Sequence, residues 1–349
     1  MLINIDVVID GATKGLVICT RTIIPSLFPF MVLSEMITGS DIAEIIGRGA
    51  GRLFTPLFKI SGTGFCSFLL GALCGFPIGA RSAVSLYEQG KLGREETERL
   101  IAFSNLTGPA FIIGGIGFTL WKSIPFGVLL YTVQIISAII VGLLLTLTVP
   151  KKERCYNKNP LASPPANPPS LSCLITEGVS KASISILSVC GYVVFFLVMS
   201  RVIITSLSGI TENSVIISFV YSLFEVGSGS AMSAAVGGED IVKGAALVAF
   251  TVGWSGLSVH FQTMHFTGAH QLSLKRYFYG KLLSGILSAF FVLCAIMIYP
   301  RLILDTAPSA TLPVMTLPMS PAFTYTVNIL FGILLTTKII NIIFIKRNK

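Results

Sequence analysis

Charge is what this sequence has least of: Asp, Glu, Lys and Arg make up 12% of its 349 residues, roughly half the share of an ordinary soluble domain. That scarcity argues against a water-soluble enzyme. Long polar blocks are missing too, so no large catalytic or nucleic-acid-binding domain can fold beside the apolar part of the chain. The seven cysteines (Cys19, Cys66, Cys74, Cys155, Cys173, Cys190 and Cys294) show neither CxxC spacing nor clustering. Most lie in apolar runs, where cysteine behaves as a small hydrophobe, and neither a disulfide framework nor a metal site is expected. The three histidines, His260, His265 and His270, recur every five residues, which scatters them around a helix. The opening MLINIDVVIDGATKG carries two Asp and no basic n-region, unlike a cleavable signal peptide, so the chain is expected to keep its first residues. No nucleophile is paired with a base, and no cofactor is implied.

What is present is apolar. Residues 60–80, 101–120, 124–149, 182–200 and 282–300 contain no Asp, Glu, Lys or Arg, and each is near the roughly 20 residues a helix needs to cross a hydrocarbon core. The chain reads as an all-α polytopic membrane protein, its first partner the lipid bilayer and its location the cell membrane. Its net charge of +9 comes from Lys and Arg in short loops between apolar runs; orientation in the bilayer explains them better than nucleic acid does.

The chain divides into a first repeat (1–150), a Pro-rich cytoplasmic linker (151–172), a second repeat (173–300), and a loop with an extra C-terminal span (301–349, its apolar part 322–345). The halves share an order of features. Asp10-Gly11-Ala12-Thr13-Lys14 resembles Glu177-Gly178-Val179-Ser180-Lys181. Each half then has a Gly-rich apolar piece, GALCGFPIGA at 71–80 and LFEVGSGSAMSA at 223–234, a polar turn, and Ala-Phe leading into a helix broken by Gly. If the Gly-rich pieces near 60–80 and 215–236 are re-entrant hairpins, the crossings are 16–38, 101–120, 124–149, 182–206, 244–262, 282–300 and 322–345. Most Lys and Arg, among them Arg81, Lys151, Lys152, Arg154 and Lys281, then fall on or near the cytoplasmic side, as positive-inside topology requires. Three crossings per half make the second repeat inverted, an architecture typical of secondary transporters with a site at mid-membrane.

Breaks in the helices mark where such a site would lie. Gly75, Pro77 and Gly79 interrupt a span-length segment. Ser104, Asn105 and Thr107 precede Gly108-Pro109, and Pro109 frees the carbonyl of Asn105. Glu225 follows a long uncharged run and precedes Gly227 and Ser228; a carboxylate at membrane depth is costly enough to imply a cavity. Trp254, Ser255 and Ser258 form the matching break in the second half, with the indole available to stack on a flat ring. All are candidate solute-binding residues. Arg81 is expected to follow the positive-inside preference or reach lipid headgroups, and Arg94-Glu95-Glu96-Thr97-Glu98-Arg99 reads as a solvated surface turn.

The stretch GALCGFPIGARSAVSLYEQGKLGREETERLIAFSNLTGPAFIIGGIG (71–117), with LFEVGSG (223–229) and GLSVHFQ (256–262), resembles the sporulation integral membrane proteins of the YlbJ type, which carry the nucleoside-recognition (Gate) domain. The resemblance implies a fold like that of concentrative nucleoside transporters, with hairpin tips at Gly75 to Gly79 and Glu225 to Gly229 and unwound segments at Ser104 to Thr107 and Trp254 to Ser258. Its association with spore formation suggests dipicolinate as cargo and the forespore-surrounding membrane as location. The first tip lacks Glu or Gln, so ribose recognition of the usual kind is not expected. The resulting expectation is a transporter of a small polar aromatic or carboxylate solute, coupled to sodium or protons, with an oligomer left open. The alternative is a non-transporting sensor or assembly partner.

Overall fold

The computed structural model describes residues 5–148, 169–207, 211–301 and 308. The body of the linker (151–168) and the expected span at 322–345 lie outside the described residues. Every regular element among those described is helical: α1 (Ile5–Ile18), a π-helical turn (Cys19–Ile23), α2 (Ile24–Thr38), α3 (Ile42–Phe58), α4 (Gly64–Cys74), α5 (Ile78–Glu88), α6 (Arg94–Ser104), a π-helical segment (Ala110–Leu120), α7 (Ile124–Leu147), α8 (Leu171–Leu207), α9 (Ser214–Phe224), α10 (Val226–Glu239), α11 (Ile241–Trp254), α12 (Gly256–Gly268) and α13 (Lys275–Ile298).

Five helical stretches among the described residues are long and apolar enough to cross a membrane: Ile5–Thr38, Ile124–Leu147, Leu171–Leu207, Ile241–Gly268 and Lys275–Ile298. Residues 101–120, expected as one crossing, are divided between the end of α6 and the π-helical segment. The distribution of polarity identifies the surrounding medium. Leu144, Ile184, Leu187, Phe195, Ile286 and Phe290 face outward, while Ser67, Ser82, Asn105, Gln134, His260, Gln262 and Lys281 are buried. A water-soluble fold would reverse that arrangement. With lipid outside, polar side chains gain by bonding to each other between helices. The protein is therefore a multi-pass helical membrane protein.

Two helical hairpins stand at the places the broken sequences predicted. In the first, α4 and α5 run antiparallel: Ser67 Oγ donates to the Gly79 carbonyl at 2.8 Å, and Ser82 Oγ donates to Ser67 Oγ at 3.1 Å. The tip is Gly75 to Pro77, and the second arm continues to Glu88, beyond the expected end near residue 80. In the second, α9 and α10 pair through Ser218 and Ser233, whose hydroxyls lie 3.2 Å apart, and through Ser214 and Glu239 at 2.9 Å, with Glu225 at the tip. Stripes of serine and glycine let the arms approach closely, since a Cβ on Gly229 would lie 2.6 Å from the Ser222 Cα.

Helices of the first and second halves of the chain pack against one another in opposite directions. Gly11 of α1 packs on Val198 of α8, and Gly178 of α8 packs on Val32 and Met36 of α2. These are the two glycines matched in the sequence comparison, and their contacts are reciprocal. In α7 and α13, Gly280 meets Val141 while Ser288 bonds to Ser137 at 3.2 Å.

Three surface readings are corrected. The run Arg94 to Arg99 is the first two turns of α6 and not a solvated turn, with Thr97, Glu98 and Arg99 buried. Glu96 accepts from the backbone amides of Ser61 and Gly93, both at 2.9 Å, and Glu98 from that of Ser273 at 2.8 Å, so the carboxylates join loops that sequence spacing cannot connect. Arg81 does not reach for headgroups: its Nε donates to Glu35 at 2.8 Å and its Nη1 to Glu88 at 3.4 Å. Lys281, expected near the cytoplasmic surface, is 1% exposed.

The Ser104 carbonyl at the end of α6 lies between the arms of the first hairpin, where a Cβ on Gly71 or Gly79 would come within 1.8 or 2.0 Å of it. Gly71→Ala and Gly79→Ala are each expected to cost about 3 kcal/mol through forced separation of the hairpin from α6, read as a lowered melting temperature of the detergent-purified protein. Gly191→Ala, with no neighbour within 4 Å of the new methyl, should be close to neutral.

Candidate functional site: a cavity between two hairpin tips

Four chain breaks meet near the middle of the molecule. Gly75, at φ +88°, packs its Cα against Gly108, where an added Cβ would lie 2.7 Å from the Gly108 nitrogen. The first tip thus touches the first break. The second tip touches the second break in the same manner: a Cβ on Gly256, at φ +80°, would lie 3.1 Å from both the Phe224 carbonyl oxygen and the Glu225 nitrogen. Trp254 Nε1 adds a bond to the Leu223 carbonyl at 3.2 Å. The breaks also bond to one another, Thr107 Oγ1 donating to the Val252 carbonyl at 3.1 Å.

Side chains replace the hydrogen bonds lost at the first break. Gln134 of α7 donates through Nε2 to the Thr107 carbonyl at 2.9 Å and accepts from the Thr107 amide at 3.2 Å. Lys281 of α13 donates to the Asn105 carbonyl at 3.0 Å, the carbonyl that Pro109 deprives of its helical partner. Asn105 Nδ2 donates to Thr263 Oγ1 at 2.9 Å and Tyr277 OH at 3.2 Å, and the tyrosine hydroxyl lies 2.9 Å from His260 Nδ1. Sequence reading missed Gln134, Tyr277 and Lys281. A lone amide in the otherwise apolar α7 was the available signal for Gln134; nothing local pointed from Lys281 to a carbonyl far along the chain.

A cavity of about 210 Å³ lies between the tips, walled by α1, α2, α8 and α12 as well. Of the residues the sequence singled out, Gly75, Thr107, Glu225, Gly227, Ser228 and Ser258 line it. Pro77, Gly79, Ser104, Asn105, Trp254 and Ser255 lie off its wall. Gly79 and Ser104 pack hairpin against break, Asn105 holds the polar cluster, and Trp254 stands edge-on to His260 with ring centroids 4.2 Å apart. Ser255 adopts the left-handed conformation at the break, φ +73°. Phe30, Phe76, Phe111 and Gln262 are also in the wall, and both π-helical segments contribute to it through Thr22, Ile23, Ala110 and Phe111. Such π-helical turns often accompany functional sites. The lining is mainly apolar and aromatic with a few polar groups, the composition of a small-molecule pocket.

Glu225 caps α10. Its carboxylate accepts from the Gly227 amide at 2.8 Å and also from the Ser228 amide. Those amides, which would otherwise suit an anion, are already satisfied, and the end of α10 presents a carboxylate to the cavity.

The chain is similar to the sporulation integral membrane protein YlbJ of Bacillus subtilis (strain 168), with 24% identity over 312 residues, 81% of this chain and 76% of the relative. It resembles YlbJ along most of its length. The match supports the YlbJ-type assignment that the motifs implied. No family model matches the chain, and no solved structure matches it.

Replacing Gln134 with Leu keeps the side-chain volume but leaves the Thr107 amide and carbonyl unpaired at 0% exposure. Two buried backbone groups without partners are expected to cost about 2–4 kcal/mol, measured as a lowered unfolding temperature. A variant that melts with the wild type would show that the unwound stretch does not depend on this clamp.

Proposed function

We propose that the protein is a secondary-type transporter that moves a small polar aromatic or carboxylate solute by alternating access. One observation carries the reading: two helical hairpins from opposite halves bring their tips, and the helix breaks beside them, to one cavity. The hairpins are read as re-entrant and the halves as an inverted repeat, supported by the antiparallel contacts between corresponding helices and the reciprocal packing of Gly11 and Gly178. In that architecture each half closes one side in turn around a fixed site.

Solute contacts fall to Thr107, Glu225, Ser228, Ser258 and Gln262, with Phe76 and Phe111 as apolar walls. Glu225 accepts hydrogen bonds and repels a bare carboxylate, so an anionic solute binds with a proton or a sodium ion. The relative's name ties it to sporulation, and dipicolinate, an aromatic dicarboxylate, fits the proposed class; the forespore-surrounding membrane is the corresponding location. The second reading, a non-transporting sensor or assembly partner in sporulation with the same fold, is favoured by the capping bonds of Glu225, which give that carboxylate a structural use.

Uptake by proteoliposomes separates the two. Wild-type vesicles should accumulate labelled dipicolinate above protein-free vesicles, and Glu225→Gln or Gln262→Ala should lower the initial rate about tenfold at unchanged protein content, the loss of one good polar contact. Weakening the Glu225 cap should also cost α10 about 1 kcal/mol, read as a lower melting temperature of that variant. No uptake of dipicolinate, other aromatic carboxylates or nucleosides by the wild type would favour the sensor. Uptake undiminished in both variants would move the site elsewhere.

A further inference from the structure

Lys281 is a whole lysine side chain enclosed among helices, and no carboxylate lies within ion-pairing distance of it among the described residues. An isolated buried ammonium is expensive and keeps its charge only where its surroundings supply negative potential. They do so through backbone. Its Nζ donates to the Asn105 carbonyl at 3.0 Å, and Asn105 is the C-terminal cap of α6. The C-terminal end of a helix carries partial negative charge and favours a cation. Here the end is unusually rich in acceptor capacity, because Pro109 cannot donate to the Asn105 carbonyl and the Asn105 Oδ1 has no partner among the described residues. Tyr277 and His260, the titratable groups of the same cluster, are engaged with each other.

Unwound carbonyls at the C-terminal end of a half-helix are where discontinuous transporter helices bind sodium. We propose that the Lys281 ammonium is a resident cation in that position, so that the oxygen site at the first break is filled by the chain's own monovalent charge and does not take sodium from solution. The consequence for transport, that any coupling cation enters with the solute at Glu225 and not at the first break, rests on the transporter reading above. The occupancy of the site does not, and stability measurements test it without any solute.

Truncating Lys281→Ala removes the atoms of an n-propylammonium ion and should convert a filled site into an empty one of matching shape. In detergent, propylammonium chloride is expected to raise the melting temperature of Lys281→Ala saturably, by on the order of 5 °C, an ordinary ligand-linked shift. Propanol and choline chloride should not, and the wild type should respond to none of the three. The wild type should also melt at the same temperature in sodium and in choline chloride at equal ionic strength. Sodium-specific stabilisation of the wild type overturns the proposal, as does a Lys281→Ala variant that responds to propylammonium no more than the wild type does. If the variant cannot be purified, the sodium comparison on the unaltered protein still decides. Sodium-independent melting with absent uptake would sink the transporter reading and leave the resident cation standing.

Discussion

A helix cannot simply stop inside an apolar slab, because each freed amide or carbonyl must find a partner within the protein. That constraint organises the centre of this molecule. At the first break the Asn105 carbonyl takes Lys281, and Thr107 takes both ends of the Gln134 amide. The Ser104 carbonyl fits between two glycines of the first hairpin. Each of those partners comes from a different helix, so the break is held by α4, α5, α7 and α13 together. The hairpin and the break form one structural unit; neither could take this shape without the other.

The two units differ in chemistry. The second tip ends in Glu225, whose carboxylate closes the first turn of α10. The first tip ends in Gly75-Phe76-Pro77, and α5 begins without a side-chain cap. One side of the cavity thus offers a carboxylate and the other an aromatic ring and backbone. A solute spanning the two would present hydrogen-bond donors, or a bound cation, toward Glu225 and its flat face toward Phe76 and Phe111. The two tips therefore offer the cavity different chemistry.

Much of this was readable from the chain. Charge-free runs gave the membrane class, and Gly75, Pro109 and Gly256 mark places where a helix must turn or end, so both breaks and both hairpins were located by residues whose backbone preferences are strong. The release of the Asn105 carbonyl followed from proline chemistry alone. What could not be read was which distant group would answer it. Lys281 sits seven positions into a helix whose other basic residues are at its start, and counting positive charges assigns all of them to the surface. No element was expected at α3, whose buried face, Ile42, Phe54 and Phe58, is set by packing. The carboxylates of Glu96 and Glu98 looked solvated for the same reason: their partners, Ser61 and Ser273, are remote in sequence.

The polar contacts at the basic end of the molecule divide into two strengths. Arg81 and Glu35 form a pair in which the carboxylate is almost wholly buried, and separating such a pair leaves a charge without compensation at a cost of about 3–5 kcal/mol. That fixes the first hairpin to α2. Three contacts from 88–98 to 270–276 are different: Glu88 with His270, Arg94 with the Gln271 carbonyl, and Glu95 with Arg276 involve partly exposed groups, and pairs of that kind contribute about 0–1 kcal/mol each, whereas the buried Glu98 accepts from the Ser273 amide beside them. Deeper in, the halves are joined more firmly: Lys281 bonds to the Asn105 carbonyl, Asn105 to Thr263 and Tyr277, and Thr107 to the Val252 carbonyl, all among buried groups. The exposed pairs between 88–98 and 270–276 therefore add little to a junction that the helix breaks already hold.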